Sequence, residues 1–173
     1  WRPDLLYEAS LAGVRHMRDS DEWHGVEKQK GVYTELMCDT FHVHKGMFEF
    51  VAKNKGDKLV LITDCTRAGG MPDGEYTLGG QKIIVNGIEC LLEDGTIAGS
   101  VLKLNDAVKN VCANTELPIW EVVACASLNP AKAIGVDDRK GSLEIGKDAD
   151  IIITDKDFNI QKTIIGGKVK YEA

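Results

Sequence analysis

Leu59-Val60-Leu61-Ile62-Thr63-Asp64-Cys65 is the stretch on which the fold turns. Four consecutive apolar residues make a short strand with no polar face. A strand apolar on both sides belongs in a parallel sheet covered by helices. Upstream, Lys45 to Lys55 carries Met47, Phe48, Phe50 and Val51 at helical spacing, and Asn54-Lys55-Gly56-Asp57 closes that segment with a turn. Further upstream, Val32 to Cys38 is rich in β-branched and apolar residues and is predicted to be a strand. Strand, helix and strand in that order form a βαβ unit and point to an α/β fold.

Downstream the pattern changes. Gly69-Gly70-Met71-Pro72-Asp73-Gly74 and Gly79-Gly80 punctuate short runs at Glu75–Leu78, Lys82–Val85 and Ile88–Leu92. Asn86-Gly87 and Asp94-Gly95 are strong turn pairs, so this region reads as a β-hairpin excursion. Ser100 to Asn114 shows a helical stripe through Val101, Leu104, Val108 and Val111 or Cys112, with Ser100 placed as the cap. Pro118 to Ser127 is a second helix, with Pro118 in its first turn. A third runs from Asn129 as N-cap through Pro130 to a stop at Gly135. From Gly141 onward, apolar runs at Ala149–Ile153 and around Ile164 alternate with turns, which reads as a small β module. Before the first strand, Leu5 to Val14 suits a helix and Arg18 to Glu22 a polar loop.

The chain has 173 residues, 43% hydrophobic and 28% charged, the composition of a globular protein. Its net charge of −6 argues against nucleic acid and anionic membrane as partners. No stretch reaches the roughly 20 apolar residues of a bilayer span. The chain begins at Trp1 without a methionine or a signal-peptide pattern, so either something has been removed or the chain is a piece of a longer protein. Five cysteines, with no Cys-x-x-Cys spacing, read as reduced thiols packed as small hydrophobes and favour the cytoplasm.

Two features carry chemistry. Asp64 ends the apolar strand at 59–62, and carboxylates at the C-terminal ends of barrel strands are catalytic. Asp is equally a turn and helix-cap residue, and spacing alone does not choose between the two. His42 and His44 lie two apart on an extended segment, where both rings can face one metal; a surface pair with no special role has the same spacing. Cys65 beside Asp64 has no base paired with it in the sequence, which favours packing over a thiol nucleophile. The glycine pairs lack the lysine and hydroxyl of a phosphate-binding loop.

Taken in order, several motifs resemble the C-terminal half of N-acetylglucosamine-6-phosphate deacetylases, members of the amidohydrolase superfamily. They are Cys38-Asp39-Thr40-Phe41-His42-Val43-His44, Leu61-Ile62-Thr63-Asp64, Ala68-Gly69-Gly70-Met71-Pro72-Asp73-Gly74-Glu75-Tyr76, Gly95-Thr96-Ile97-Ala98-Gly99-Ser100, and Asn129-Pro130-Ala131-Lys132-Ala133-Ile134-Gly135. Gly141-Ser142-Leu143-Glu144-Ile145-Gly146-Lys147-Asp148-Ala149-Asp150 is shared across the superfamily. The resemblance runs from about Gly31 to Tyr171. It implies the C-terminal part of a metal-dependent (β/α)8 TIM-barrel in residues 1–140 and strands of a small β-sandwich in 141–173. The segments 32–38 and 59–62 would be the last two barrel strands.

The resemblance also implies an activity: hydrolysis of the acetamide of N-acetylglucosamine 6-phosphate to glucosamine 6-phosphate and acetate, in amino-sugar catabolism. In such enzymes a divalent metal, here expected to be zinc, lowers the pKa of a bound water. Asp64 matches the aspartate that takes the water's proton and returns one to the leaving amine. His42 matches a substrate-contacting histidine, and Ile97, Ala98 and Gly99 match a loop that meets the sugar through its backbone. Counting back from His42, Arg18 falls at the phosphate-binding arginine, a natural bidentate partner for that group. The family's metal ligands lie upstream of the matched region, and Tyr7 stands where one of its histidines belongs, so no metal ligand is assigned in this chain. The metal-binding His-x-His of the superfamily sits on the first barrel strand, whereas His42 and His44 sit near the seventh. Thr40 and Cys65 replace a usual glycine and a usual alanine. The implied whole enzyme is a cytoplasmic homodimer with a small sugar-phosphate substrate. Two other readings remain: a related amidohydrolase acting on another amide or a cyclic imide, and a non-catalytic fragment or interaction module.

Overall fold

The computed structural model describes residues 32–173. The expected helix at 5–14, the loop at 18–22, Tyr7 and Arg18 lie outside the described residues. Strand β1 (Thr34–Met37) and strand β2 (Leu59–Ile62) pair in parallel, with Thr34 opposite Leu59 and Met37 opposite Ile62. Between them a 3-10 turn (Lys45–Met47) leads into helix α1 (Phe48–Lys55), which completes the expected βαβ unit. Leu59, Val60 and Leu61 are all buried, as a strand covered on both faces requires.

The glycine-rich region is a three-stranded antiparallel meander of β3 (Gly74–Leu78), β4 (Gln81–Asn86) and β5 (Glu89–Leu92). Its small core of Ala68, Ile83, Val85 and Cys90 is separate from the main one. Three helices follow: α2 (Leu104–Asn114), α3 (Ile119–Ala126) and α4 (Leu128–Ala133). Helices α1, α2 and α3 pack their buried residues against β1 and β2, so Phe48, Leu36, Leu59, Ala107, Val111 and Val122 share one core. The chain ends in a second antiparallel sheet of β6 (Ile151–Thr154), β7 (Ile160–Ile165) and β8 (Lys168–Glu172), in that spatial order. No helix among the described residues is long and apolar enough to cross a membrane.

Three local expectations are corrected. Ser100 does not cap α2: the helix starts at Leu104, and Lys103 precedes it without a side-chain cap. Ser100 is instead buried, with its Oγ accepting from the Leu102 N–H at 3.0 Å. The predicted stripe therefore loses Val101, which lies ahead of the helix, and Leu104, which is exposed. Ala107, Val108 and Val111 form the buried face. Asn129 is not an N-cap either. It lies inside α4, buried, and its Nδ2 donates to the Leu59 carbonyl at 2.8 Å. That bond ties α4 to the start of β2 and satisfies a buried amide that would otherwise cost about 1–3 kcal/mol.

Candidate active site

Parallel pairing puts the C-terminal ends of β1 and β2 on one edge. Two residues past the last paired position of each strand come Asp39 and Asp64. Asp64 adopts φ 45°, a left-handed conformation uncommon outside glycine but tolerated by Asp. Backbone of this kind persists where the surrounding structure over-determines it.

The loop after Asp64 is held from the far side of the meander. Cys65 and Ser100 form a parallel bridge, and the Thr66 N–H donates to the Ser100 carbonyl at 2.8 Å. The segment leading into Ser100 is fixed in turn by β5. Ala98 N–H donates to the Cys90 carbonyl at 2.8 Å, Leu92 N–H to the Thr96 carbonyl at 2.8 Å, and Ile97 bridges Leu91. Asp94 shapes the turn, its Oδ1 accepting from Thr96 N–H at 2.9 Å. Gly99 has φ 148°, and a Cβ there would stand 2.5 Å from the Thr66 Cγ2. Only a residue without a side chain lets the two loops lie this close. Asp64 and the 97–99 segment, far apart in sequence, thus belong to neighbouring loops.

His42 lies on the adjacent loop, after β1, and its ring Nδ1 stands 2.5 Å from the Asp39 Oδ2. Phe41 meets the imidazole edge-on, with ring centroids 5.3 Å apart. His44 does not join it. It is exposed, and its Nδ1 accepts from the Gly46 N–H at 3.2 Å at the start of the 3-10 turn. The two histidines therefore have different jobs. Among the described residues no group of three or more His, Cys, Asp or Glu gathers as a metal cluster, so these residues do not by themselves make a metal centre.

Cys65 departs from the buried thiol expected of it: the residue is exposed, as Cys38, Cys90 and Cys125 are not. Its Sγ turns toward Gly69, 1.9 Å from where a Cβ at that position would stand. Local burial of this sulfur, with the neighbouring Asp64 carboxylate adding to it, raises the thiol above its ordinary range. It is no ready thiolate, so the nucleophile reading has no support in the geometry. Burial pushes the Cys125 thiol up to about 11 and Cys38 higher still.

Asp39 is the residue that sequence reasoning missed. Its signal is slight: an Asp three positions before a His, directly after an apolar strand.

The profile of the amidohydrolase family matches residues 40–170, which take in His42, the Asp64 loop and most of the C-terminal sheet. The chain belongs to the amidohydrolase family. This family is generally metal-dependent. The chain is 38% identical to an N-acetylglucosamine-6-phosphate deacetylase of Bacillus subtilis (strain 168), an alignment covering 96% of this chain and 46% of that protein. It is 36% identical to a putative N-acetylgalactosamine-6-phosphate deacetylase of Escherichia coli (strain K12), over 92% of this chain and 95% of that one. A crystal structure of N-acetylglucosamine-6-phosphate deacetylase from Pasteurella multocida superimposes with a TM-score of 0.79 at 34% identity, covering 84% of this chain and 38% of that chain. The chain thus spans less than half the length of the Bacillus subtilis relative and of this solved structure, and almost all of the Escherichia coli one. The α/β amidohydrolase character expected from the sequence is borne out.

Proposed function

We propose that this amidohydrolase chain is the C-terminal part of a deacetylase acting on N-acetylglucosamine 6-phosphate, with Asp64 as its general acid and base. Two observations support the reading: parallel pairing puts the loops that follow β1 and β2, carrying His42 and Asp64, on one edge, and the Cys65–Ser100 bridge ties the segment of Ile97, Ala98 and Gly99 to the Asp64 loop. Asp64 takes the proton of the attacking water and passes one to the departing amine of the sugar. His42 hydrogen-bonds the acetamide, and the 97–99 backbone lies along the sugar ring. Arg18 takes the 6-phosphate.

In this reading β1 and β2 are the last two strands of a (β/α)8 barrel within residues 1–140, and residues 141–173 supply strands of a small β-sandwich. The divalent metal is zinc, with ligands mostly outside this chain. The whole protein is a cytoplasmic homodimer. These finer assignments rest on the family resemblance of the motifs.

The Escherichia coli relative favours a second substrate, the galacto epimer of the same sugar phosphate, because this chain matches almost its full length. Acetate release from both N-acetylhexosamine 6-phosphates separates the two readings. In the full-length protein Asp64→Asn is expected to lower turnover by at least about 100-fold on the preferred substrate, the scale of lost acid–base catalysis. A loss below about tenfold removes Asp64 from that role, and release from neither sugar phosphate overturns the function.

A further inference from the structure

The Asp39 carboxylate divides its two oxygens between two tasks. Oδ1 accepts from the backbone N–H of Phe41 at 3.0 Å and of His42 at 2.9 Å, which fixes the turn after β1. Among the described residues Oδ2 faces only the His42 ring, at 2.5 Å from Nδ1. Asp39 is 3% exposed, and a carboxylate at such depth is costly unless its lone pairs are used. Burial works against its charge, but the bonds from the His42 ring and from the His42 and Phe41 N–H groups outweigh that and hold the carboxyl below its ordinary range. An ionised carboxylate only accepts, so the ring nitrogen against it carries the proton. The support behind the pair is rigid: Cys38 is fully buried, and its carbonyl accepts from the Asn110 Nδ2 on α2 at 2.8 Å.

We infer that Asp39 is a positioning residue, which fixes the proton of His42 on Nδ1 and so makes Nε2 the atom that His42 offers to the substrate. A cap for the turn needs Oδ1 alone. The second oxygen is aimed at a ring in edge contact with Phe41, and among the described residues it has no partner besides that ring. An imidazole oriented through its other nitrogen presents one defined atom, as the aspartate of a catalytic triad does for its histidine. The inference rests on the proposed contact between His42 and the acetamide, and its test separates the two.

The measurement is a long-range 15N–1H spectrum of the histidine side chains in the full chain. It is taken on the high-pH side of the histidine titration followed in the same spectra. His42→Gln identifies the His42 signals. The expected wild-type spectrum is the Nδ1–H tautomer for His42, and a dominant Nε2–H form overturns the inference without any variant. Asp39→Asn keeps an Oδ1 acceptor for the two backbone amides and removes the charge from Oδ2. It is expected to abolish the tautomer preference, and an unchanged tautomer also overturns the inference. In deacetylation of N-acetylglucosamine 6-phosphate, Asp39→Asn is expected to lower kcat/KM about 10- to 100-fold, as loss of an orienting partner does. Added to His42→Gln, it should cost nothing further, because Asp39 acts through His42. An equal further loss in the double variant overturns the inference. A tautomer that responds as expected, in a protein that deacetylates no sugar phosphate, upholds the hold of Asp39 on His42 and sinks the substrate reading instead.

Discussion

Leu59-Val60-Leu61-Ile62 and Ile151-Ile152-Ile153-Thr154 are nearly the same sequence in chemical terms, and the molecule treats them in opposite ways. In β2 the first three residues are buried, with α1, α2, α3 and α4 all packed around the strand. In the sheet of β6, β7 and β8 no residue is buried, and Ile152, Ile153, Ile165, Val169 and Tyr171 are all exposed. An apolar run therefore specifies an extended segment, and its neighbours decide whether burial follows. The helices that cover β2 are encoded nearby, in 48–55 and 104–133. The C-terminal sheet is tied to the rest at a few points. Phe158, in the turn between β6 and β7, packs against the main core and accepts from the Asn105 Nδ2 at 3.2 Å through its carbonyl. Just ahead of the sheet Arg139 pairs with Asp148 at 3.1 Å and Lys140 with the same carboxylate at 2.9 Å, but Arg139 and Asp148 are exposed and Lys140 is only half-buried, so these pairs add little stability.

The contrast has a direct thermodynamic form. Phe48 is fully buried in the main core, and Phe48→Ala is expected to cost about 3–5 kcal/mol in a denaturant titration. Ile153→Ala, in the exposed sheet, should stay within about 0.5 kcal/mol. Comparable losses at the two positions would mean that the C-terminal sheet is covered in solution, and the contrast would fall.

Gly141 lies where the two regions join. It has φ 87°, and a Cβ would stand 2.9 Å from the Leu128 Cα and 2.9 Å from the Ala131 Cβ on α4. Backbone cannot yield as a flexible side chain does. Gly141→Ala therefore combines left-handed strain with overpacking, and about 2–4 kcal/mol is expected. A change below about 0.5 kcal/mol, the scale of an ordinary surface substitution, would show that the junction is not packed as described.

The local grammar of the fold was legible. The strand at 59–62 falls on the expected residues, the βαβ unit follows from periodicity, the Asn86-Gly87 turn joins β4 to β5, and the Asp94-Gly95 turn brings the chain back so that Ile97 bridges Leu91. What was not legible is what joins distant segments. Ser100 has the residue type of a cap, but its backbone is recruited by Cys65 and Thr66. Asn129 before a proline has the pattern of a helix start, but the carbonyl of Leu59 takes its side chain. No local propensity encodes either partner. The site divides in the same way. Asp64 and His42 stand out by residue type and position, whereas the tie between the Asp64 loop and the 97–99 segment is tertiary. Asp39 becomes visible only once its second oxygen is seen against the His42 ring.

The smallest expected effect compares two backbones of the same kind. Thr40, beside the buried layer, and Phe158, at the edge of the exposed sheet, both adopt left-handed conformations, with φ 67° and 63°. Thr40 is forced there by the turn in which Asp39 Oδ1 gathers the Phe41 and His42 amides. A β-branched residue in that region carries about 1–2 kcal/mol of strain, and glycine carries none. Glycine gives back about 0.5–1 kcal/mol through the entropy of the unfolded chain. Thr40→Gly should therefore stabilise by about 0.5–1 kcal/mol, because the exposed Thr40 side chain has little burial to lose. Phe158→Gly relieves the same kind of strain but forfeits packing against the main core, and its sign should be opposite. If both variants stabilise, the Phe158 ring does not anchor the sheet. If both destabilise, the Thr40 side chain contributes to the turn, and the strain at this position is smaller than its φ implies.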